Sequence, residues 1–317
     1  MINDNYKLFV KELIGKTINF QKIINNLIRD RLFIFCFHEI TNKPSKFQAK
    51  NKLFVTEKNF KKQIGYIDKI LNIVNPLQLQ NKKNITSSAV ISFDDGYINS
   101  FSFGLKFLST KKIVPIYFLN MSAIKYGIPL LPASIEFLEQ NFGKFNEFIE
   151  TNKLTRPISL SINSKKFQKL NKYLKNNYKK INDYQGKLIS HGQLKKFSSK
   201  KKFFLGDHLY EHFNCMALNK NELFNLANKN QKILKQFNNN LNFFSYPNGV
   251  YNRCFDKKNI MWLKNYGYKK TFGCSNTSNS KLNNFVLDRI SLNNDDNTFN
   301  KFLYKIFASN QKNLNLK

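Results

Sequence analysis

Short apolar, β-branched and aromatic runs alternate along most of this chain with longer stretches whose apolar residues recur every third or fourth position. "LFIFCF" (32–37) predicts a buried strand, and a helix follows from Thr56 with Phe60, Ile64, Ile67 and Leu71 on one face. "AVISF" (89–93) and "VPIYFL" (114–119) repeat the strand signature around a helix carrying Phe101, Leu105 and Leu108. "KFFLG" (202–206) precedes a helix capped near Asn219, with Leu223, Leu226, Ile233 and Phe237 on its apolar face. "LNFFSY" (241–246) precedes a helix ending at Gly267, a residue suited to a C-terminal cap, and "KKTFGC" and "FVLDRISL" read as closing strands. The alternation predicts an α/β fold, a mainly parallel sheet of about seven strands with helices outside it. Periodicity does not decide between an open sheet and a barrel.

Two segments interrupt the rhythm. Residues 1–30 hold an amphipathic helical leader, and residues 120–200, rich in Lys and Asn, read as a mostly helical insertion over one rim. With no internal repeat and no convincing linker, residues 31–292 are expected to form a single domain. Residues 293–317 complete the chain as a helix and a basic tail.

Polar residues gather where the predicted strands end. His38 and Glu39 follow the first strand, Asp94 and Asp95 the second, "GDHLYEH" (206–212) the fourth and "YPNG" (246–249) the fifth. In parallel α/β folds these carboxyl ends converge on one face, where active sites are built. His208 and His212 are four apart, a spacing that on a helical turn puts both imidazoles on one side. Two neutral imidazoles and a carboxylate make a facial triad for a divalent cation. Of two adjacent carboxylates, one can bind the cation while the other serves as general base. Taken singly, an HxxxH pair is a surface helix and Asp-Asp-Gly a solvated turn. Their meeting on one predicted face, after a buried strand, favours chemistry.

Composition narrows the classes. The 317 residues include 52 Lys and Arg against 20 Asp and Glu, a net charge of +32, which invites a nucleic-acid reading. The Lys pairs are scattered, however, and Lys200-Lys201-Lys202 is the densest run, so no specific nucleic-acid partner is expected. Loose attraction to an anionic membrane or acidic glycan remains open. Lys, Asn, Ile and Phe are inflated together, with 32 Phe, as a coding bias would produce. The four cysteines, Cys36, Cys215, Cys254 and Cys274, lack metal-finger spacing; Cys36 and Cys274 read as buried thiols. No signal-peptide design and no span-length apolar run is present, which leads to the expectation of a reduced, cytoplasmic protein.

The motifs together resemble those of the polysaccharide deacetylases, the NodB-homology family or carbohydrate esterase family 4. "SFDDG" resembles the family's TFDDG, "LGDHLYEHFN" its Gly-Asn/Ser-His-Thr-x-x-His run, and "FFSYPNGVYN" its FxYPYGxYN segment. "FCFHEI" matches the leading YH strand of a branch common in envelope polysaccharide synthesis, and the likeness spans roughly residues 32 to 292. It implies a distorted (β/α) barrel and metal-dependent removal of acetyl groups from an N-acetylated glycan or lipid-linked sugar. By that resemblance Asp94 is the general base, while Asp95, His208 and His212 hold the metal. Zinc is the first choice, with cobalt, nickel or manganese also accommodated. A backbone amide near Tyr246, Pro247, Asn248 and Gly249 would face the oxyanion, and these four are expected to meet substrate.

The chain also departs from the family pattern. Ser245 stands where many relatives have arginine, Asn248 replaces a tyrosine, Leu209 a Ser or Thr, and Asp207 an Asn or Ser. The late histidine assigned as general acid in much of the family is missing, since none follows His212. His38 is the natural substitute, as acid or substrate contact, against the alternative of a buried structural histidine. Arg289 either replaces the lost arginine, binds a glycan carboxylate or forms a rim salt bridge. His191 reads as packing or surface. These departures also motivate an alternative, a glycan-binding relative that no longer turns over.

Overall fold

The computed structural model describes residues 4–19, 21–80, 87–143, 145–170, 174–199, 202–280 and 284–311. The Lys82–Lys83 pair, Lys200 and Lys201, and the basic tail beyond residue 311 lie outside them. Eleven strands occur among the described residues. They are β1 (Leu32–Phe37), β2 (Glu39–Ile40), β3 (Phe54–Val55), β4 (Asn72–Ile73), β5 (Ser88–Asp94) and β6 (Ile116–Leu119). After the insertion come β7 (Phe204–Asp207), β8 (Asn240–Ser245), β9 (Lys270–Phe272), β10 (Val286–Leu287) and β11 (Ile290–Ser291).

β2 and β3 pair with each other; the rest form one parallel sheet in the order β10-β9-β8-β7-β6-β5-β1-β11, with β4 beside the start of β5. The segment 286–291 curls this sheet back on itself. Its first half pairs with β9 and its second half with β1, the two strands at opposite ends of the row. Asp288 and Arg289 lie between the two pairings. About seven strands were expected, and nine are in the sheet. The two-residue β4 was not foreseen, and "FVLDRISL" divides into two pairings where one strand was read.

β1 and β5 are buried along their whole length, which explains their continuous apolar sequence. The helices outside begin and end on local signals. Thr56 caps Glu57–Ile70 through its side chain, and Phe60, Ile64 and Ile67 are buried at helical spacing. Asn219 and Glu222 form a capping box on Lys220–Leu234. Asp256 caps Lys257–Tyr266, which stops at Gly267 in the left-handed region, with φ of 105°. The helix expected around Phe101 opens instead with a wide π-type turn at Ser100–Leu105. That turn directs Phe101 onto Tyr117, with ring centroids 4.0 Å apart, and buries Gly104 and Leu105 as well. Asp4–Ile18 and Gln21–Ile28 pack on Phe299–Gln311, so the leader joins the same apolar core as β1.

Candidate active site

The strand that carries the DD motif, β5, delivers Asp94 to the mouth of the curled sheet. Consecutive strand residues ordinarily face opposite ways. Asp95 breaks that alternation with a φ of +68°, followed by Gly96 at +86°. Left-handed backbone is tolerated by Asp and natural for Gly. Both carboxylates therefore reach the same imidazole: His208 Nε2 lies 3.6 Å from Asp94 Oδ2 and 3.6 Å from Asp95 Oδ1.

Their environments push the two acids apart. Burial raises the Asp94 carboxyl, but the Arg289 guanidinium and the neighbouring His208 outweigh it and hold Asp94 well below the usual carboxylate range. Arg289 Nη1 donates to Asp94 Oδ1 at 2.7 Å and Nη2 to Oδ2 at 2.8 Å, a bidentate pair. Asp95 is raised well above the ordinary value by burial and by the charge of Asp94. Its Oδ1 is buried and accepts no hydrogen bond among the described residues. A buried carboxylate oxygen with no donor calls for a cation.

The imidazoles supply the rest of that demand. His208 Nδ1 sits 2.9 Å from the Ser245 carbonyl, an acceptor that fixes the proton on Nδ1 and leaves the Nε2 lone pair free. Burial lowers both histidines and keeps them neutral, as ligands must be. His212 Nε2 lies 3.4 Å from Asp95 Oδ1, and the Asp95, His208 and His212 ligand atoms all fall within 4.8 Å of one another. Gaps of 3.4–3.6 Å are too long for good hydrogen bonds. They match the ligand–ligand edge of about 3.4 Å expected around a tetrahedral ion with bonds of about 2.1 Å. The donor set fits a divalent metal.

The run from His208 to His212 is not a helical turn. Leu209 and His212 both have positive φ, 62° and 57°. Two sets of hydrogen bonds determine that path: Asn120 Nδ2, from the end of β6, donates to the carbonyls of His208 and Leu209, and the adjoining Asp207 Oδ1 accepts from Leu209 N at 2.7 Å. With those groups engaged elsewhere, the intrahelical ladder cannot start. The rings still meet edge to face, with centroids 4.8 Å apart. The i, i+4 expectation of a helical turn is thus overturned, while the two imidazoles still come together.

No protein-family model matches the chain, and no curated protein does. Solved structures do match. IcaB from Ammonifex degensii superposes with a TM-score of 0.56 at 13% identity, covering 87% of this chain and 97% of that one. A de-N-acetylase from Aggregatibacter actinomycetemcomitans gives 0.56 at 13%, covering 87% and 99%. A polysaccharide deacetylase from Bacillus cereus gives 0.55 at 13%, covering 87% and 69%. The chain has the polysaccharide deacetylase fold. Within that fold, the strand ends named above surround one cleft of about 470 Å³.

His38, Asp94, Asp95, His208, His212, Tyr246, Asn248 and Arg289 line the deacetylase-fold cleft, whereas Pro247 and Gly249 are not part of its lining. Burial lowers His38 to about 4, so its imidazole is neutral near pH 7. Tyr246 is buried, its ring stacked on Phe255 at 3.8 Å, and its amide donates to the Phe272 carbonyl at 3.0 Å. Asn248 and Gly249 both take positive φ. Arg289 is no rim residue: it is fully buried, with Nε on the Gly273 carbonyl at 3.0 Å and Nη2 on Ser245 Oγ at 2.6 Å. The small Ser245 leaves the space into which the guanidinium reaches. His191 is half-buried, its ring edge-on to Phe237, as the packing reading has it.

Sequence reasoning placed the insertion over one rim and noted Asp207, but it assigned none of the contacts that follow. The insertion contributes a wall, with Leu130, Pro132, Ile135 and Ile158 as apolar lining and Glu136 and Glu139 beside them. Cys274 also lines the cleft, and Cys36 packs against Asp94. Asn120, at the end of β6, straps the histidine loop; the strand-end rule applied to "VPIYFLN" would have found it. Asp207 is the other strap, accepting from Leu209 N, Asn230, Gln231 and Tyr268. Asp207→Ala strands four donors. We expect a loss of at least about 3 kcal/mol in urea unfolding. Metal affinity is expected to fall about 10–100-fold in a chelator competition.

Proposed function

We propose that the protein hydrolyses the N-acetyl amide of an amino sugar in an envelope glycan or its precursor, using a divalent ion, zinc first, held by Asp95, His208 and His212. The convergence of those three ligands beside an Arg-paired Asp94, in a cleft with room for a sugar residue, carries the reading. The names of the structural neighbours support the substrate class. Such an ion supplies Lewis acidity to the acetamide carbonyl and to the attacking water.

The chain's own residues supply the remaining steps. Asp94, kept ionised by Arg289, accepts the water's proton. The Tyr246 amide already has an acceptor, Pro247 has no N–H and Gly249 is not part of the lining, so the backbone donor to the oxyanion falls to Asn248. His38 stands in for the missing late histidine. Because it is neutral at rest, it must receive the proton from Asp94 before passing it to the leaving amine. The apolar wall of the insertion excludes water from the acetyl group.

Among the described residues, no helix is long and apolar enough to cross a membrane. The four free thiols support a reducing, cytoplasmic setting, and the positive charge supports peripheral contact with an anionic surface. A free-amine assay on acetylated amino-sugar oligomers tests the activity. Release is expected with the metal-loaded protein, abolished by chelator and restored by zinc or cobalt. No release from any acylated glycan overturns it, and metal retention without turnover would make the protein a glycan-binding relative.

A further inference from the structure

A second group of metal-ligating atoms adjoins the first. Cys36 Sγ, a His38 ring nitrogen and an Asp94 oxygen all lie within 4.8 Å of one another. Cys36 and His38, two apart at the end of β1, share one side of the strand. Cys36 is fully buried, and its sulfur faces a carboxylate where a core thiol would ordinarily meet apolar groups: Sγ is 3.5 Å from Asp94 Oδ2. The thiol of Cys274, which lines the cleft, interacts with the Cys36 thiol.

We propose that Cys36, His38 and Asp94 form a second cation site that takes a soft divalent ion such as zinc or cadmium. Sulfur sets its preference. Thiolate and imidazole select soft ions, whereas the sulfur-free Asp95–His208–His212 set also accepts manganese. Asp94 can serve both neighbours, because Arg289 occupies one acceptor position on each oxygen and a carboxylate offers about four. On binding, Cys36 loses its thiol proton to solvent and its sulfur donates an electron pair to the ion. A +2 ion beside one thiolate, one carboxylate and the Arg289 guanidinium leaves one positive charge. Cys274, whose thiol interacts with that of Cys36, would cancel it as a second thiolate by releasing its own proton to solvent. Under the proposed function this ion captures the general base, so excess zinc inhibits while manganese does not. That consequence rests on the deacetylase reading; the binding counts do not.

Metal-stripped full-length protein is titrated with cadmium, with bound ion counted by equilibrium dialysis and the thiolate-to-cadmium ultraviolet absorption followed. Two ions per chain are expected, one of them bringing the thiolate band, and a manganese titration should count one. Cys36→Ser should lose the band and one ion. His38→Gln, which leaves the buried sulfur in place, should also lose one ion, and Cys274→Ser should weaken the same ion. His212→Ala should lose the other ion and keep the band. A single cadmium ion without a thiolate band, or a band and second ion that persist in Cys36→Ser, overturns the second site. A thiolate-bound ion with no other would overturn the proposed catalytic centre and leave this site standing.

Discussion

Asp94→Asn is expected to lower the proposed deacetylation by about 10²–10⁴-fold, the usual contribution of a positioned general base, while the protein keeps the ion proposed for Asp95, His208 and His212. The amide has nearly the same shape but no basic oxygen to accept the water's proton. Metal content separates this outcome from collapse of the site, because Asp95, His208 and His212 are untouched. The substitution also leaves the buried Arg289 guanidinium without its counterion, a cost of about 3–5 kcal/mol where one partner of a buried pair is removed. Activity must therefore be measured well below the unfolding transition, with circular dichroism confirming the fold. Wild-type turnover by Asp94→Asn would remove Asp94 from the chemistry.

Arg289→Met should act on both stability and pH dependence. Methionine fills much of the arginine's volume but leaves Asp94, Ser245 Oγ and the Gly273 carbonyl without their donor. A loss of about 3–5 kcal/mol in urea unfolding is expected. In the wild type the folded Asp94 lies below its unfolded value near 3.8. Its contribution to stability is thus present above pH 3.8 and lost as pH falls through the folded value. Without the guanidinium, burial dominates and the carboxyl rises above its unfolded value. The acid limb of the rate profile should move to higher pH, a change that a purely structural arginine would not produce. Arg289→Lys should recover charge but not the two-pronged geometry, restoring the profile only in part. The double variant with Asp94→Asn should cost less than the sum of the two single changes, since each alone strands a buried charge. Strict additivity would show that the pair is not coupled.

The candidate site was legible to different depths at different residues. Asp94, Asp95, His208 and His212 could be named because acids and imidazoles are rare here and each follows an apolar run that can only be a strand. The resemblance implies a division of labour between the two acids, and the structure adds that Arg289 pairs with Asp94. Arg289 itself could not be assigned from "LDRISL". Whether its side chain meets solvent, sugar or Asp94 depends on the short gap between β10 and β11, where one segment changes partners from β9 to β1. The histidine loop was misread as helical because its spacing is local information. What bends it is only partly local: Asp207 turns back onto Leu209 N two residues on, but Asn120 arrives from the end of β6 and takes the two carbonyls a helix would need.

By itself, the sequence determined the alternation of strands and helices, the parallel sheet and the residue types at each strand end. These follow from burial period and capping, which act over a few residues. Only the tertiary structure decided which strand ends share a cleft, that Arg289 is buried against Asp94, that Cys36 and His38 lie beside the same carboxylate, and that the insertion walls the opening. Those outcomes depend on how far the sheet curls before its two ends meet. That curl is set by pairings between segments some 250 residues apart, β1 with β11 among them, and no local pattern in the chain encodes it.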